Sequence, residues 1–538
     1  MGRILLLDCT LRDGAYITEA RFGAPAMRGI MKKMQEAKVD IIECGWLKDK
    51  PYEKDTTFYH VPADVAPYLG EKSAGTTYVA MIDWNRYDVD SCPPSDGRTL
   101  DAIRVVFPHG KHIEGIDVGR KLMAKGYKVF FQAANTMAYS DRELLDLADA
   151  VNDAMPVALS VVDTFGAMYS DDLERIVGIL HRHLNGNVAL GFHSHNNRQL
   201  SFALTMRFVE FLRDSEREAI VDASLCGMGR GAGNATTELV ASYLNEKHHG
   251  HYDMDAIMDA IDTYMQGFQE RFTWGYSTPY FIAGLYQCHV NNIAYLLSNH
   301  RTNAKDMRQI IASLTQEQRR HYDYDLLENK YMENQDRQVE DEQAMHQIKE
   351  CLAGRMVLLV APGKSSQVER GKIGQIIDEE RPVVIAVNAI LPGYDYDFLF
   401  FTNSTRYEYA KGAYVETFNK TKRILLSNIK TQPESGEYIV GFNRAIKRGW
   451  PHFDNAVICC LRFLNKLDVQ RVKLAGFDGF KTKYNESYAD ASLPTLNPGN
   501  DWDGLNKEIT EIFLDLRKAV KSRMKIEFVT DSIFDIEI

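Results

Sequence analysis

Short apolar runs alternate with amphipathic stretches through the first half of the 538-residue chain. Strand-like runs of aliphatic and aromatic residues occupy 3–11, 40–46, 76–83, 102–107, 128–135, 158–164, 188–195 and 220–227. Each is too short for a typical buried helix and too continuously apolar for a strand with one wet face. Each therefore reads as a strand covered on both faces, the pattern of a parallel sheet. Between them, DRELLDLADAVNDAM (141–155) and DDLERIVGILHRHL (171–184) repeat apolar residues three and four apart, the spacing of a helix with one buried face. Eight such units in about 240 residues fit a (β/α)8 TIM barrel. An open doubly wound sheet is the competing arrangement. The third unit has no clear helix ahead of its strand.

Strands cease between 251 and 350. HYDMDAIMDAIDTYMQGFQERF and DEQAMHQIKECLAG have helical periodicity, and NKYMENQDRQVEDEQ reads as a solvated connection. Apolar runs resume at GRMVLLVAPGKSS (354–366) and recur in RPVVIAVNA, YDFLFFTN and NAVICCLRFLNKLDVQRVKLAGFDGF. Three or four strands with intervening helices predict a Rossmann-like α/β domain. The expected organisation is α/β throughout: a barrel over 1–250, a helical extension and connection over 251–350, and a Rossmann-like domain of unassigned role over 355–538. The length alone calls for more than one core.

Composition narrows the partners. A net charge of -11 argues against non-specific binding to nucleic acid or an anionic membrane. No stretch reaches the apolar length of a membrane span, and MGRILLLDCTLRDGAY reads as neither a signal peptide nor an anchor. The eight cysteines form no CxxC pair, so a reduced cytoplasmic setting is expected. A homo-oligomer remains compatible with all of this.

In a (β/α)8 barrel, catalytic groups come from the C-terminal ends of the strands. The polar residues there are Arg12 and Asp13 in TLRDG, Glu43, Asp163 in VVDTFGAM, His193 and His195 in GFHSHNN, and Asn234 and Glu238 in GMGRGAGNATTE. Side chains two apart on a strand share a face, so His193 and His195 both point into the barrel mouth. Two imidazoles and a carboxylate make a facial metal site with open positions, and Asp13, on the strand that closes the barrel, is the carboxylate in reach. Arg12 beside it suits a developing oxyanion. Glu43 and Asp163 read equally as groups that orient the others or as interior packing.

The stretches DCTLRDG, VVDTFGAM, GFHSHNN and VDASLCGMGRGAGNATTE, in that order, resemble the pyruvate-carboxyltransferase-like superfamily, the DRE-TIM metallolyases. The resemblance covers about residues 1–300 and is closest to the 4-hydroxy-2-oxovalerate aldolase branch. It implies that Asp13, His193 and His195 bind a divalent metal, usually Mn2+ or Mg2+, with Asn234 ligating or approaching it. It also implies that Arg12 steadies a pyruvate enolate and that Tyr286, in FIAGLYQCH, is a substrate-side tyrosine. One position departs from the aldolases: where they carry a histidine base three residues after the metal aspartate, this chain has Tyr16. A tyrosine is a poor base at neutral pH but a competent acid or hydrogen-bond donor.

The expected activity is metal-dependent making or breaking of a carbon–carbon bond between a 2-oxo acid enolate and an aldehyde. The alternatives are a Claisen-type acyl-CoA condensing synthase on the same barrel, favoured by Tyr16, and a non-catalytic scaffold barrel. A channelling partner is not implied. In the second domain, VLLVAPGKSS with Lys364 and Ser365 lacks the spacing of a P-loop and reads as a buried strand and turn. The run through GFDGF resembles sialyltransferase-like glycan-synthesis domains, which would set Asp478 at the edge of a nucleotide or sugar site.

Overall fold

The computed structural model describes residues 2–300, 302–481, 485–494 and 501–536. These fall into two compact units. The first runs through Val290 and takes in Arg319–His321; the second comprises Asn291–Gln318 and the chain from Tyr322 onward.

In the first unit eight parallel strands close on themselves. They are β1 (Ile4–Asp8), β2 (Ile41–Leu47), β3 (Thr77–Asp83), β4 (Ala102–Phe107), β5 (Lys128–Ala133), β6 (Ala158–Asp163), β7 (Ala189–Ser194) and β8 (Ala219–Ala223). Sequence neighbours pair throughout, and β1 pairs with both β2 and β8, which closes the (β/α)8 barrel and removes the open sheet from consideration. Six helices of eleven residues or more accompany them: α1 (Ala24–Glu36), α2 (His112–Ala124), α3 (Asp141–Ala154), α4 (Ser170–His183), α5 (Ser201–Phe211) and α6 (Thr237–His248). Between β2 and β3 the longest helical pieces have only four residues, which is the gap in the sequence pattern. Ser140 starts α3 in a reciprocal cap: its hydroxyl accepts from Glu143 N, and Glu143 accepts from Ser140 N.

The period of two along the strands sorts their residues into layers. Leu6 faces the helices, within the large core that also holds Ile30, Leu144, Leu173 and Phe208. Leu5, Leu7, Ile41, Ala102, Phe130, Ala158, Ala189 and Ile220 fill the barrel interior. Two residues further along five of these strands stand Glu43, Arg104, Gln132, Ser160 and Asp222, all buried. The apolar floor thus carries a polar layer, and the site is built on that layer.

The stretch between 250 and 350 is helical, and none of its described residues forms a strand. Part of what reads as a solvated connection is ordered: the helix Tyr324–Gln335 buries Leu327, Tyr331 and Met332. Its charged residues lie on the exposed faces, so the local charge density hides an apolar stripe.

The second unit carries seven parallel strands rather than three or four: β9 (Val357–Val360), β10 (Val383–Val387), β11 (Phe398–Phe401), β12 (Lys422–Leu426), β13 (Glu437–Val440), β14 (Arg471–Ala475) and β15 (Lys525–Phe528). Their order is β13-β12-β11-β10-β9-β14-β15, so the direction of winding reverses between β9 and β14. β13 and β15 are the edge strands and are largely only partly buried, which leaves their sequences too polar to register as buried strands.

Candidate metal and active site

Asp8 ends β1 by accepting from Thr10 N (3.1 Å) and Thr10 Oγ1 (3.0 Å), which turns the chain into the four-residue helix Thr10–Asp13. That turn sets Arg12 and Asp13 at the C-terminal mouth of the barrel. His193 lies near the end of β7, and His195 follows it by one strand period with its ring perpendicular to that of His193, centroids 5.1 Å apart. One potential ligand atom from each of Asp13, His193 and His195 lies within 4.8 Å of the other two. The sequence-derived cluster is therefore assembled, and Asn234 joins it, donating through Nδ2 to Asp13 Oδ2 at 2.5 Å. The glycine loop allows this: a Cβ on Gly229 would lie 2.4 Å from Asn234 Nδ2 and 3.1 Å from Asp13 Oδ2.

A buried ionic network holds the cluster. Arg12 Nε donates to Glu43 Oε2 (2.7 Å), and Arg12 Nη1 lies 3.0 Å from Asp13 Oδ1. Arg104 Nη1 pairs with the same Glu43 oxygen at 2.9 Å, and Arg104 Nη2 reaches Asp222 and Gln132. Asp222 Oδ2 in turn lies 3.0 Å from His193 Nδ1, which turns His193 Nε2 toward Asp13 Oδ2 at 3.7 Å. Trp46 Nε1 donates to the Arg12 carbonyl at 3.2 Å.

Burial opposes ionisation of Asp13, but Arg12, His195, His193 and the Asn234 amide outweigh it and hold its pKa at about 2. Burial lowers His195 to about 4, so its ring is neutral and able to ligate at pH 7. Glu43 orients Arg12. Asp163 acts away from the cluster. It accepts from Ala167 N (2.8 Å) and Met168 N (3.2 Å) and so shapes the loop after β6, while burial raises its pKa to about 6. Glu238 accepts from Cys226 N at 3.2 Å and anchors the glycine loop.

A cavity of about 750 Å3 opens over the cluster, lined in part by Arg12, Asp13, Tyr16, His193, His195 and Asn197. The Arg230 guanidinium sits over the Tyr16 ring, 4.8 Å from its centroid, and Tyr16 meets Trp46 edge-on. The Tyr16 residue is 45% exposed, but desolvation at its hydroxyl end raises it to about 12, so it keeps its proton. Tyr286 is not among the lining residues; its ring lies under the Arg319 guanidinium at 4.9 Å. His289, three residues on, does line the cavity, and burial, aided by Arg230 and His321, lowers it to about 3.

Comparison with known proteins covers this half of the molecule. The HMGL-like family model matches residues 115–263. A 4-hydroxy-2-oxovalerate aldolase of Thermomicrobium roseum is 33% identical over 267 residues, 47% of this chain and 70% of that protein. The chain belongs to the HMGL-like family. An oxaloacetate decarboxylase of Mycobacterium tuberculosis is 25% identical over 272 residues, 49% of this chain and 76% of that protein. Among solved structures, the N-terminal domain of a candidate aldolase from Bacteroides vulgatus aligns with a TM-score of 0.48 and 24% identity, over 55% of this chain and 96% of that one.

Aldolases and lyases of the HMGL-like family depend on a divalent metal, and the residues present fit one. Asp13, Glu43 and Asp222 against Arg12 and Arg104 leave one net negative charge buried at the barrel mouth. His195 Nδ1 and Asn234 Oδ1 are buried without a hydrogen-bond partner. An uncompensated charge and unpaired donor atoms in one place are costly unless a cation joins them.

Several residues of this HMGL-like site escaped sequence reasoning. Asp222, Arg104 and Gln132 had a signal: each is a lone polar residue inside an apolar strand run, where an unpaired polar group is costly. Arg230 had one too, since it lies in the glycine loop after β8 that the sequence already places at the barrel mouth. His289 had none, because only the folded chain returns it to the barrel mouth.

Proposed function

We propose that the barrel makes or breaks a carbon–carbon bond between a 2-oxo acid of the pyruvate type and an aldehyde. The observation that carries this reading is Arg12 Nη2, a buried donor in the cavity wall with no hydrogen-bond partner, next to the Asp13–His193–His195 cluster. That donor fits the substrate oxygen on which negative charge develops as the α-carbon becomes a nucleophile. Glu43 and Asp13 fix the Arg12 guanidinium, so its donor needs no reorganisation when the charge appears.

Asp13, His193 and His195 would hold Mn2+ or Mg2+, with Asn234 beside them. Such an ion supplies Lewis acidity toward the carboxylate and ketone oxygens of a 2-oxo acid. Tyr16, which keeps its proton, donates a hydrogen bond to the hydroxyl or carbonyl of the second substrate. His289 offers a neutral imidazole in the same cavity that can take part in hydrogen bonding to substrate; lowered to about 3, it is too weak a base to replace the histidine that the aldolases carry in the place of Tyr16. We further propose that 1–250 form the catalytic domain, 251–350 its helical extension and connection, and 355–538 a separate Rossmann-like domain.

The test is exchange of the pyruvate methyl protons in D2O, followed by NMR, with Mn2+ or Mg2+ present and Asp13→Ala as control. Metal-dependent loss of the methyl signal, absent in the control, is expected. No exchange would sink pyruvate as the nucleophile; release of thiol from an acyl-CoA donor would then select the Claisen reading.

A further inference from the structure

The second unit contains a cavity of its own, about 840 Å3, that the barrel chemistry does not use. It lies beyond the C-terminal ends of β9, β10, β11 and β14, lined by residues that directly follow those strands: Ala361, Asn388, Thr402 and Gly476. This is where the winding reverses between β9 and β14, and crevices at such reversals are where open α/β sheets take ligands. The loops after β9 and β14 meet backbone to backbone. A Cβ on Gly476, which has φ +74°, would lie 2.1 Å from the Ala361 carbonyl oxygen, and one on Gly363 would lie 2.4 Å from the Gly476 oxygen. Ser365 ties the same loops together, donating from N (2.8 Å) and Oγ (2.5 Å) to the two oxygens of Asp478. Asp478 is thereby committed to holding the crevice shut at its base.

The deciding residue is Arg406, in the first turn of the helix Ser404–Ala413. It lines the cavity with only 6% of its surface exposed, and its Nη1 is buried without a hydrogen-bond partner. Among the described residues no carboxylate forms an ion pair with it; its guanidinium instead lies over the face of Tyr488, 4.7 Å from guanidinium carbon to ring centroid. A permanently charged guanidinium buried without an anion is strongly unfavourable, whereas guanidinium and phosphate are matched in charge and geometry. Asn403 caps the same helix by accepting from Arg406 N at 2.9 Å, and Asn455 caps a second helix, Ala456–Lys466, whose first residue also lines the cavity. Two helix N-termini add to the positive potential there. Phe477, Phe480 and Tyr488 supply flat apolar walls, and Asp454 supplies a carboxylate that suits hydroxyls and repels a second phosphate.

We propose that this cavity binds a nucleoside monophosphate group, free or as part of a larger ligand, with its phosphate on Arg406, its ring against Phe480 or Tyr488 and its ribose hydroxyls toward Asp454.

The full chain would be titrated calorimetrically with AMP, GMP, CMP and UMP and, separately, with inorganic pyrophosphate. At least one nucleotide is expected to bind saturably, at least tenfold more weakly in Arg406→Met and unchanged in Asp13→Ala. Without ligand, Arg406→Met should melt no lower than the parent, since it removes a buried charge that no carboxylate among the described residues pairs with. Tyr488→Ala should weaken the nucleotide more than pyrophosphate. If Arg406→Met fails to fold, Arg406→Lys keeps the charge but loses the planar fork, and it must bind the nucleotide several-fold more weakly. The proposal is overturned if no nucleotide binds at millimolar concentration, if binding survives the Arg406 substitutions, or if pyrophosphate binds as tightly as every nucleotide.

Discussion

His193 Nδ1 lies 3.0 Å from Asp222 Oδ2, and the far nitrogen of the same ring faces Asp13. Such an imidazole is fixed in tautomer and orientation before any metal arrives. Asp222→Asn should weaken Mn2+ binding by roughly 10–100-fold while leaving the far-ultraviolet circular dichroism spectrum unchanged. Unaltered affinity by metal titration would remove Asp222 from the site. His193→Ala and His195→Ala should go further and abolish measurable occupancy by elemental analysis.

Gly229 gives a steric test of the same cluster. A methyl group there would sit 2.4 Å from Asn234 Nδ2, so Gly229→Ala must push Asn234 off Asp13. Reduced metal affinity with a near-parental melting temperature is expected. Parental affinity would show that the Asn234–Asp13 contact does not matter to the ion.

Arg104 is 1% exposed and bridges Glu43 and Asp222 across the barrel. Arg104→Met leaves both carboxylates without their shared cation. It should cost about 3–5 kcal/mol in urea unfolding, the range for breaking a buried ion pair.

Tyr16 keeps its proton and lines the cavity without touching the metal cluster by hydrogen bond. Tyr16→Phe should lower kcat by about a hundredfold, the scale of one general acid, with metal affinity unchanged. A change confined to KM would reduce Tyr16 to a binding group.

The buried carboxyls predict a pH trend in stability. Burial raises Asp163 from 3.8 to about 6, so its contribution is full below pH 3.8 and is lost as the pH rises through 6. That interval corresponds to about 3 kcal/mol. Asp8, raised by burial to about 6 as well, has the same sign. Between pH 4 and 7 the urea midpoint of Asp163→Asn should therefore fall less than that of the parent. Parallel curves would contradict the burial of an ionisable Asp163.

The sequence by itself determined the barrel and half of its site. Continuous apolar runs mark strands buried on both faces, and the period of two puts His193 and His195 on one side of β7 whatever surrounds them. The motif TLRDG at the end of β1 carried Arg12 and Asp13 with it. Tertiary structure alone decided the rest. Arg104 and Asp222 stand on β4 and β8, which are not neighbours, and meet only because the barrel closes and brings its interior faces together. His289 reaches the cavity through a chain return that no local period encodes, and Tyr286, three residues before it, does not. In the second unit the edge strands β13 and β15 were invisible because half-exposed strands carry polar residues. The charge that Arg406 leaves uncompensated emerges only once its surroundings are known, since burial and pairing are properties of a folded neighbourhood and not of a residue.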